Sequence, residues 1–341
     1  MPTIDHQLLR QITQAIIEAV GTPPPAAQAV CESLVGANLM GHDSHGVIRL
    51  PQYVDLVRNG AVQPQATPNL VAQQGVTAQV DGAFGWGQPA ARFAARTAIA
   101  LAADHGASAV TIVNCNHIGR VGEYVETIAR AGMIGIALCN AGPAVAPYGG
   151  YQRIMGTNPF AWAAPCGPDQ PPFVLDFATS AVAEGKLRVA RSKGAMIPVG
   201  LVLDSAGRPS LDPADFYAGG ALQTFGLHKG SGMSVMIELL ARGLCGVDQA
   251  RTHHIGLNGP LFMAINIPFL APEAQFQAAA ERLRAQIAGS APIAGFDEVL
   301  LPGDPEQRAR RRRLEKGISI PEQTWEGILA LAAEWNIGNL A

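Results

Sequence analysis

Strands and helices alternate along this chain from about residue 76, and this alternation constrains its fold more than any other feature. Short apolar runs typical of strands occupy residues 109–114, 133–140, 160–164 and 173–177, with helical segments before the first and the second of them. Strands that alternate with helices are typical of parallel sheets covered by helices. The sequence therefore predicts an α/β fold with parallel strand pairing.

The first seventy or so residues predict helices instead. Apolar side chains such as Leu9, Ile12 and Ile16 recur at helical spacing. Pro23 to Pro25 then break the chain and open a second helix that runs to about Met40. We also predict an apolar helix at 233–244, later in the chain, directly after a glycine-rich segment.

Charge and cysteine content exclude several classes of protein. A net charge of −3 offers no basic surface for nucleic acid, and the apolar runs are shorter than the roughly 20 residues of a membrane helix. The start of the chain has no apolar core of a signal peptide. The five cysteines form no C-x-x-C pair, which favours free thiols in a reducing compartment. We therefore expect a cytoplasmic protein that binds neither nucleic acid nor membrane.

The densest cluster of reactive side chains is the loop Gly41-His42-Asp43-Ser44-His45-Gly46. Arg49 follows His45 by one helical turn, so its guanidinium can hold a carboxylate while a histidine exchanges a proton with a neighbouring oxygen. A metal site lacks the usual ligand spacing, and no G-x-S-x-G elbow surrounds Ser44. A loop of polar capping groups remains the alternative.

Three glycine-containing segments precede predicted helices. Residues 81–87 have the spacing G-x-x-G-x-G, which is not the Rossmann fingerprint, so a tight turn explains them better. Residues 116–122 and 228–232 combine glycines with Arg120 or Lys229, as expected of an anion site at a helix N-terminus. A flexible helix entry accounts for each of the latter two equally well.

Together these segments resemble the malate/L-lactate dehydrogenase family, whose fold is not of the Rossmann type. The family includes ureidoglycolate and sulfolactate dehydrogenases and the piperideine/pyrroline-2-carboxylate reductases, and the sequence is most similar to the bacterial hydroxycarboxylate dehydrogenase branch. The matching segments occur in order over most of the chain: Gly41 to Gly46, Asn116 to Gly122, Gly156 to Pro159, Asp176 to Ser180, His228 to Gly230 and Pro302 to Asp304.

The resemblance implies a mixed, non-Rossmann α/β fold of the malate/L-lactate (sulfolactate) dehydrogenase type. Its helical N-terminal part and its cofactor domain would be interleaved. Residues 1–120 with 290–341 would form the helical, substrate-binding and catalytic part, and residues 121–289 the nicotinamide-binding domain. It further implies a homodimer.

The resemblance also implies roles for individual residues. His45 would donate the proton with Ser44 as its relay partner, and His117 is the alternative proton-transfer residue. Arg49 and Thr157 would hold the substrate, and Lys186 would attract an anionic group. The residues that would bind the cofactor are His117, Ile118, Gly119, Arg120, Val121, Asn140, Asp176, Phe177, Ala178, His228, Lys229, Pro302, Gly303, Asp304 and Arg308.

The predicted function is interconversion of a 2-oxo acid and a 2-hydroxy acid with NAD or NADP. The alternatives are an NADPH-dependent reductase of the cyclic imines Δ1-pyrroline- and Δ1-piperideine-2-carboxylate, and a nucleotide-sensing protein on the same scaffold. Lys186 stands where the imine-reducing branch has an aspartate in its relay, which favours the 2-oxo acid. The basic run 308–313 is either a solvated helix face or a contact with the nucleotide or a partner subunit.

Overall fold

The computed structural model describes residues 1–167, 170–246 and 257–338. Its strands are β1 Thr3–Ile4, β2 Asn69–Gln74, β3 Thr77–Asp81, β4 Ala107–Val113, β5 Met133–Cys139, β6 Pro159–Ala164, β7 Phe173–Ala178, β8 Val202–Leu203, β9 Pro209–Ser210, β10 Ala221–Leu222, β11 Pro260–Asn266 and β12 Ile318–Ser319. Its α-helices are α1 His6–Ala19, α2 Pro24–Leu39, α3 Leu50–Arg58, α4 Gly87–His105, α5 Gly122–Arg130, α6 Glu184–Ser192, α7 Ala214–Tyr217, α8 His228–Ile237, α9 Glu273–Ala288, α10 Asp304–Lys316 and α11 Glu322–Glu334.

Local sequence signals explain where the first helices begin and end. Asp5 caps α1, because its carboxylate accepts hydrogen bonds from Gln7 N at 2.8 Å and Leu8 N at 3.1 Å. Pro24 begins α2 at a position where a missing N–H costs nothing. Gly106, in a left-handed conformation with φ of 85°, ends α4. These predicted helices are confirmed, and α2 ends at Leu39, within one residue of the predicted end.

A mixed seven-stranded sheet with the order β2-β3-β4-β11-β5-β6-β7 forms the centre of the molecule. The predicted parallel pairing is wrong for most of it, since β3 and β4 are the one parallel pair among the described strands of this sheet. The reason is that β11, far along the chain, inserts between β4 and β5 and runs antiparallel to both. The predicted mixed α/β class is confirmed.

Two apolar clusters dominate the core. In the first, α4 and α5 pack on one face of the sheet around Tyr124 and Phe262, both fully buried. In the second, α1, α2 and α3 pack with Ile318 and Ile328 from the C-terminal part of the chain. The pairing of β1 with β12 joins the two ends of the chain in the same region. The helical N-terminal part is therefore completed by residues more than 250 positions later in the sequence.

Three other predictions need correction. The first seventy residues are not all helical, because β1 and the first residues of β2 lie among them. The helix predicted at 233–244 begins at His228, so His228 and Lys229 lie in its first turn rather than before it, and its last part is a π-helix at Glu238–Gly243. Helix α6 was not predicted, since only Leu187 of its sequence is a fully buried apolar residue.

No helix among the described residues has the length and apolarity needed to cross a membrane. The division of the chain into residues 1–120 with 290–341 and residues 121–289 stays a prediction. Residues 339–341 of the first part and 168–169 and 247–256 of the second lie outside the described residues.

Candidate active site

The loop between α2 and α3 places several predicted site residues next to each other. Two short 3-10 turns, Asp43–His45 and Val47–Arg49, connect the helices. Asn38 near the end of α2 fixes both turns. Its amide nitrogen donates to Asp43 at 2.7 Å, and its amide oxygen accepts from Val47 N at 2.8 Å.

Helix α10 holds the same loop from the other side. Arg313, whose side chain is 16% exposed, donates to both carboxylate oxygens of Asp43, at 2.5 and 3.0 Å, and also to Asn38 O. The imidazole of His42 lies 3.4 Å from a carboxylate oxygen of Glu306. Asp43 and His42 are thus engaged by α10, and their contacts explain how the loop keeps its shape.

Ser44, His45 and Arg49 form one connected group. Ser44 Oγ lies 3.1 Å from Nδ1 of His45. Arg49 donates from Nε to the carbonyl oxygen of Ser44 at 2.7 Å and from Nη1 to Gln52 at 3.0 Å. These bonds fix the plane of the guanidinium and use two of its five N–H donors. Among the described residues the other three donors of Arg49 have no hydrogen-bonding partner, which leaves them for an anionic ligand.

His117 is held from behind by a buried chain of hydrogen bonds. The hydroxyl of Tyr53 lies 2.7 Å from His117 Nδ1, and the Gln88 amide nitrogen donates to that hydroxyl at 2.7 Å. With Gln88 in this orientation, the hydroxyl proton of Tyr53 is directed at His117 Nδ1. His117 is therefore in the neutral form that carries its proton on Nε2.

The two candidate proton-transfer residues face each other. The rings of His45 and His117 have centroids 5.7 Å apart and are nearly parallel, with an interplanar angle of 7°. Tight packing of the preceding turn makes this placement possible, because a Cβ at Gly87 would lie 2.3 Å from the carbonyl oxygens of both Asn116 and His117. Gly87 thus serves close packing against the His117 loop, and Gly85 N donates to Gly82 O at 2.8 Å in the predicted tight turn before the helix.

Burial keeps both imidazoles neutral. It lowers the pKa of His45 to about 3, with the charges of Arg49, His42 and Arg120 as further causes. Burial also lowers the pKa of His117 well below 6.5, with smaller contributions from Arg49 and His45. A ligand carboxylate beside Arg49 would oppose these positive charges and raise the pKa of both rings.

Helix α6 reaches the same group of residues. A Cβ at Gly185 would lie 2.9 Å from Ser44 Cβ, so the first turn of α6 packs directly against the Ser44 side chain. Lys186, the next residue, has an exposed side chain. The structure thus places the backbone that carries Lys186 next to Ser44, and the role predicted for the Lys186 ammonium group stays a prediction.

Thr157 lies on a loop that other elements fix on both sides. Its carbonyl oxygen accepts from Thr179 N at 2.8 Å and from Thr179 Oγ1 at 3.0 Å. The next residue, Asn158, has a left-handed φ of 37°, and its amide nitrogen donates to Glu238 of the π-helix at 2.9 Å. The side chain of Thr157 is half-buried, so a ligand can reach it.

The predicted cofactor residues near α5 make contacts that limit what they can bind. Asp176 on β7 accepts from Gly122 N at 2.7 Å, so a carboxylate already occupies the N-terminus of α5. This contact removes one amide from the anion site predicted there. Ile118 N donates to Asn258 at 3.1 Å, and Asn258 in turn donates to the carbonyl oxygen of Asn140 at 2.9 Å.

Asn140 provides an unsatisfied donor in this region. Its side chain is fully buried, and its Nδ2 has no hydrogen-bonding partner among the described residues. A buried amide nitrogen without a partner costs about 1–3 kcal/mol, so a polar ligand at this position relieves the cost. A dinucleotide, with carboxamide, ribose and phosphate acceptors, has the chemistry that this donor requires.

The more distant predicted cofactor residues fall into two groups. Pro302 and Gly303 lie against β7, since Val174 N donates to Pro302 O at 3.2 Å. The same strand carries Asp176, Phe177 and Ala178. Arg308, farther along α10, is exposed and pairs with Glu298.

His228 and Lys229 form the second group, and no contact in the described residues joins them to the histidine pair. They follow Leu227, whose backbone angles, φ of 58° and ψ of −122°, are unusual for a residue other than glycine.

Tyr53, Gln88, Asn38 and Arg313 are site residues that sequence reasoning missed. Tyr53 follows Arg49 by four positions, so helical spacing from Arg49 was a signal that could have found it. Gln88, Asn38 and Arg313 act through hydrogen bonds to residues that are distant in sequence or chemically inert, and no local pattern marks them.

Comparisons with known proteins show the family of the chain. The model of the family described as malate/L-lactate dehydrogenase matches residues 4–329. Hydroxycarboxylate dehydrogenase B of Escherichia coli (strain K12) is 36% identical, over 97% of this chain and 93% of the relative. A Δ1-pyrroline-2-carboxylate/Δ1-piperideine-2-carboxylate reductase of Pseudomonas putida is 33% identical, over 95% of each chain. The structure of sulfolactate dehydrogenase from Methanocaldococcus jannaschii superposes with a TM-score of 0.90 at 32% identity, over 98% of each chain.

The chain therefore belongs to the malate/L-lactate dehydrogenase family. It is an enzyme, an oxidoreductase of the class that interconverts 2-oxo and 2-hydroxy acids, and the family implies a nicotinamide cofactor. The predicted family, fold type and enzyme class are confirmed.

Proposed function

We propose that this enzyme interconverts a 2-oxo acid and the corresponding 2-hydroxy acid at the site formed by His45, His117 and Arg49. The observation that carries the proposal is the parallel pair of neutral imidazoles beside the guanidinium group of Arg49. By name, one relative acts on hydroxycarboxylates and another on sulfolactate, and both are hydroxy acids. These names support the substrate class proposed for this chain.

Arg49 is proposed to bind the substrate carboxylate. Its guanidinium is fixed by Ser44 O and Gln52, so little side-chain entropy is lost when a carboxylate binds to the remaining donors. Thr157 is proposed to supply a hydroxyl from a rigid loop, and Lys186, next to the Gly185 turn that packs on Ser44, to supply positive charge. Three groups of this kind orient the carbonyl carbon and oxygen of a 2-oxo acid in one direction.

His45 is proposed to donate the proton to the carbonyl oxygen of the substrate. Because burial lowers its pKa to about 3, the free enzyme holds this imidazole neutral. A neutral imidazole that loses its Nε2 proton must gain one at Nδ1, and Ser44 Oγ lies 3.1 Å from that atom. Ser44 is half-buried, so water can return its proton. His117, fixed by Tyr53, is the alternative donor in this account.

The residues present fit a nicotinamide dinucleotide. Asn140 Nδ2 is a buried donor in need of a partner, which a polar group of the cofactor can supply. When bound, the cofactor supplies the hydride. We propose that the cofactor is held by Asn140 together with residues 117–121, 176–178, 228–229 and 302–308. The cofactor is NAD or NADP.

We propose a homodimer in the cytoplasm. The face of α8 and the π-helix formed by Val235, Met236, Leu239 and Leu240 is apolar and exposed, with exposed fractions of 39–59%. Exposed apolar patches of this kind are typical of subunit interfaces. All five cysteines are buried free thiols, which supports a reducing compartment.

The test is a panel of 2-oxo acids and cyclic imines, each assayed with NADH and with NADPH by loss of absorbance of the reduced cofactor. We expect turnover of at least one 2-oxo acid with kcat/KM at least tenfold above that of Δ1-piperideine-2-carboxylate. A cyclic imine that exceeds every 2-oxo acid would contradict the proposed substrate. Binding of cofactor without any turnover would favour a nucleotide-sensing protein.

A further inference from the structure

A second pocket lies apart from the pair of histidines. It has a volume of about 390 Å³ and is lined by residues of α1, α2, α4, α5 and α10, together with Arg120. None of His45, His117, Ser44 or Arg49 lines it. Small residues of α2 and α4 create the space, and a Cβ at Gly36 would meet nothing within 4 Å. We call this cavity the arginine pocket.

The lining of the arginine pocket is strongly basic. Five arginines and two glutamates line it, so the formal charge of the lining is +3. The five arginines are Arg10, Arg92, Arg96, Arg120 and Arg310. In a protein with a net charge of −3, this concentration of positive charge is local and is not a reflection of overall composition.

Both lining carboxylates are already engaged by a single arginine. Arg92 donates from Nε to Glu123 at 2.7 Å and from Nη1 to Glu32 at 2.7 Å. The side chains of Arg10, Arg96 and Arg310 make no ion pair with any residue that the structure describes. Three exposed guanidinium groups therefore line the pocket without an ion pair to any described carboxylate.

Arg120 adds a buried charge to the same pocket. It is only 6% exposed, and its hydrogen bond is a long one of 3.4 Å to Glu126. Glu126 also accepts from Arg130 at 2.7 Å, so one carboxylate serves two arginines. A buried guanidinium with most of its donors unused is costly, and a bound anion relieves this cost.

We propose that the arginine pocket binds a compact polyanion that carries phosphate groups or several carboxylates, at a site separate from the pair of histidines. Guanidinium groups bind phosphate and carboxylate oxygens through paired hydrogen bonds, which matches the donors left unused here. The volume suits a small metabolite, because ligand pockets typically begin at about 300 Å³.

The pocket is linked to the proposed active site by two of its arginines. Arg120 is three residues after His117 and belongs to the same loop. Arg310 lies on α10 between Glu306 and Arg313, the residues that contact His42 and Asp43. A polyanion that contacts Arg120 and Arg310 together would join the two elements that hold the catalytic loops.

The test measures binding of inorganic pyrophosphate by calorimetry at constant ionic strength, with chloride as the replaced anion. We expect saturable binding of one pyrophosphate per chain. The substitutions Arg96→Gln and Arg310→Gln should each weaken it at least tenfold, while the matched control Arg311→Gln, on the same helix and outside the pocket, leaves it unchanged. All three positions are exposed, so the fold should tolerate the changes.

Saturating NADH and NADPH serve as competitors. Unchanged pyrophosphate affinity in their presence supports a separate site. Displacement by NADPH alone would assign the pocket to the 2′-phosphate of the cofactor, and displacement by both cofactors would assign it to the dinucleotide site; either result overturns the proposal. Equal binding by the wild type and the two pocket variants, or no saturable binding at all, overturns it as well.

Discussion

The hydroxyl group of Tyr53 offers the sharpest test of how His117 is held. Tyr53→Phe removes one oxygen that accepts from Gln88 and faces His117 Nδ1, each at 2.7 Å. Gln88 is fully buried, so its amide nitrogen loses its partner without access to water. Each buried polar atom without a partner costs about 1–3 kcal/mol, and the half-buried His117 ring recovers part of this from solvent. We expect a loss of about 2–4 kcal/mol in the free energy of unfolding.

Urea unfolding at a fixed protein concentration measures this loss. Tyr217→Phe is the matched control, because Tyr217 donates to Glu184 on the surface, is 38% exposed, and should cost under about 1 kcal/mol. The kcat of Tyr53→Phe should fall by roughly tenfold or more, as His117 loses a fixed tautomer. A destabilisation no larger than that of the control would refute the hydrogen-bonded chain.

Three further outcomes follow from the same site. Gly87→Ala should cost about 3 kcal/mol or more in thermal unfolding, because the new methyl group would lie 2.3 Å from two backbone oxygens; a cost below about 1 kcal/mol would be inconsistent with that packing. Arg313→Met should lower the free energy of unfolding by about 1–2 kcal/mol, a modest loss because the side chain of Asp43 is 45% exposed and water can replace the lost contact. It should also raise the KM for substrate. If the free energy of unfolding and the KM both stay unchanged, α10 does not hold the loop. The pKa of His45 is about 3 in the folded protein and near 6.5 when unfolded, so its contribution to stability is present above pH 6.5 and is lost as the pH falls towards 3. Between these pH values the free energy of unfolding should therefore decline less steeply in His45→Gln than in the wild type, by at most about 1.4 kcal/mol per pH unit. Parallel plots of the free energy of unfolding against pH for the two proteins would contradict a neutral His45 in the folded protein.

The parts of the fold that depend on neighbouring residues could be predicted from the sequence. Helices α1, α2 and α4 follow from apolar spacing, from Asp5 and proline at their starts and from Gly106 at an end. Strand pairing could not be predicted in the same way. The sheet order depends on β11, which enters between β4 and β5 from more than 120 residues away, and no local pattern specifies that insertion.

The site residues also differ in whether the sequence could predict them. Ser44, His45 and Arg49 were found because they are close in sequence and chemically distinctive. The contact of His45 with His117 and the role of Tyr53 depend on how two loops meet across the fold, and this meeting follows from packing at Gly87. Sequence spacing contains no information on such a distance.

The most direct test of the central claim compares His45→Gln with His117→Gln in steady-state reduction of the best 2-oxo acid, with cofactor binding followed by nicotinamide fluorescence. Loss of a general acid typically costs about 10²–10⁴-fold in turnover. We expect a loss of this size in kcat for His45→Gln with an unchanged Kd for the reduced cofactor, and a smaller loss for His117→Gln. Full turnover by His45→Gln, with turnover lost in His117→Gln, would contradict the role proposed for His45 and assign the proton transfer to His117.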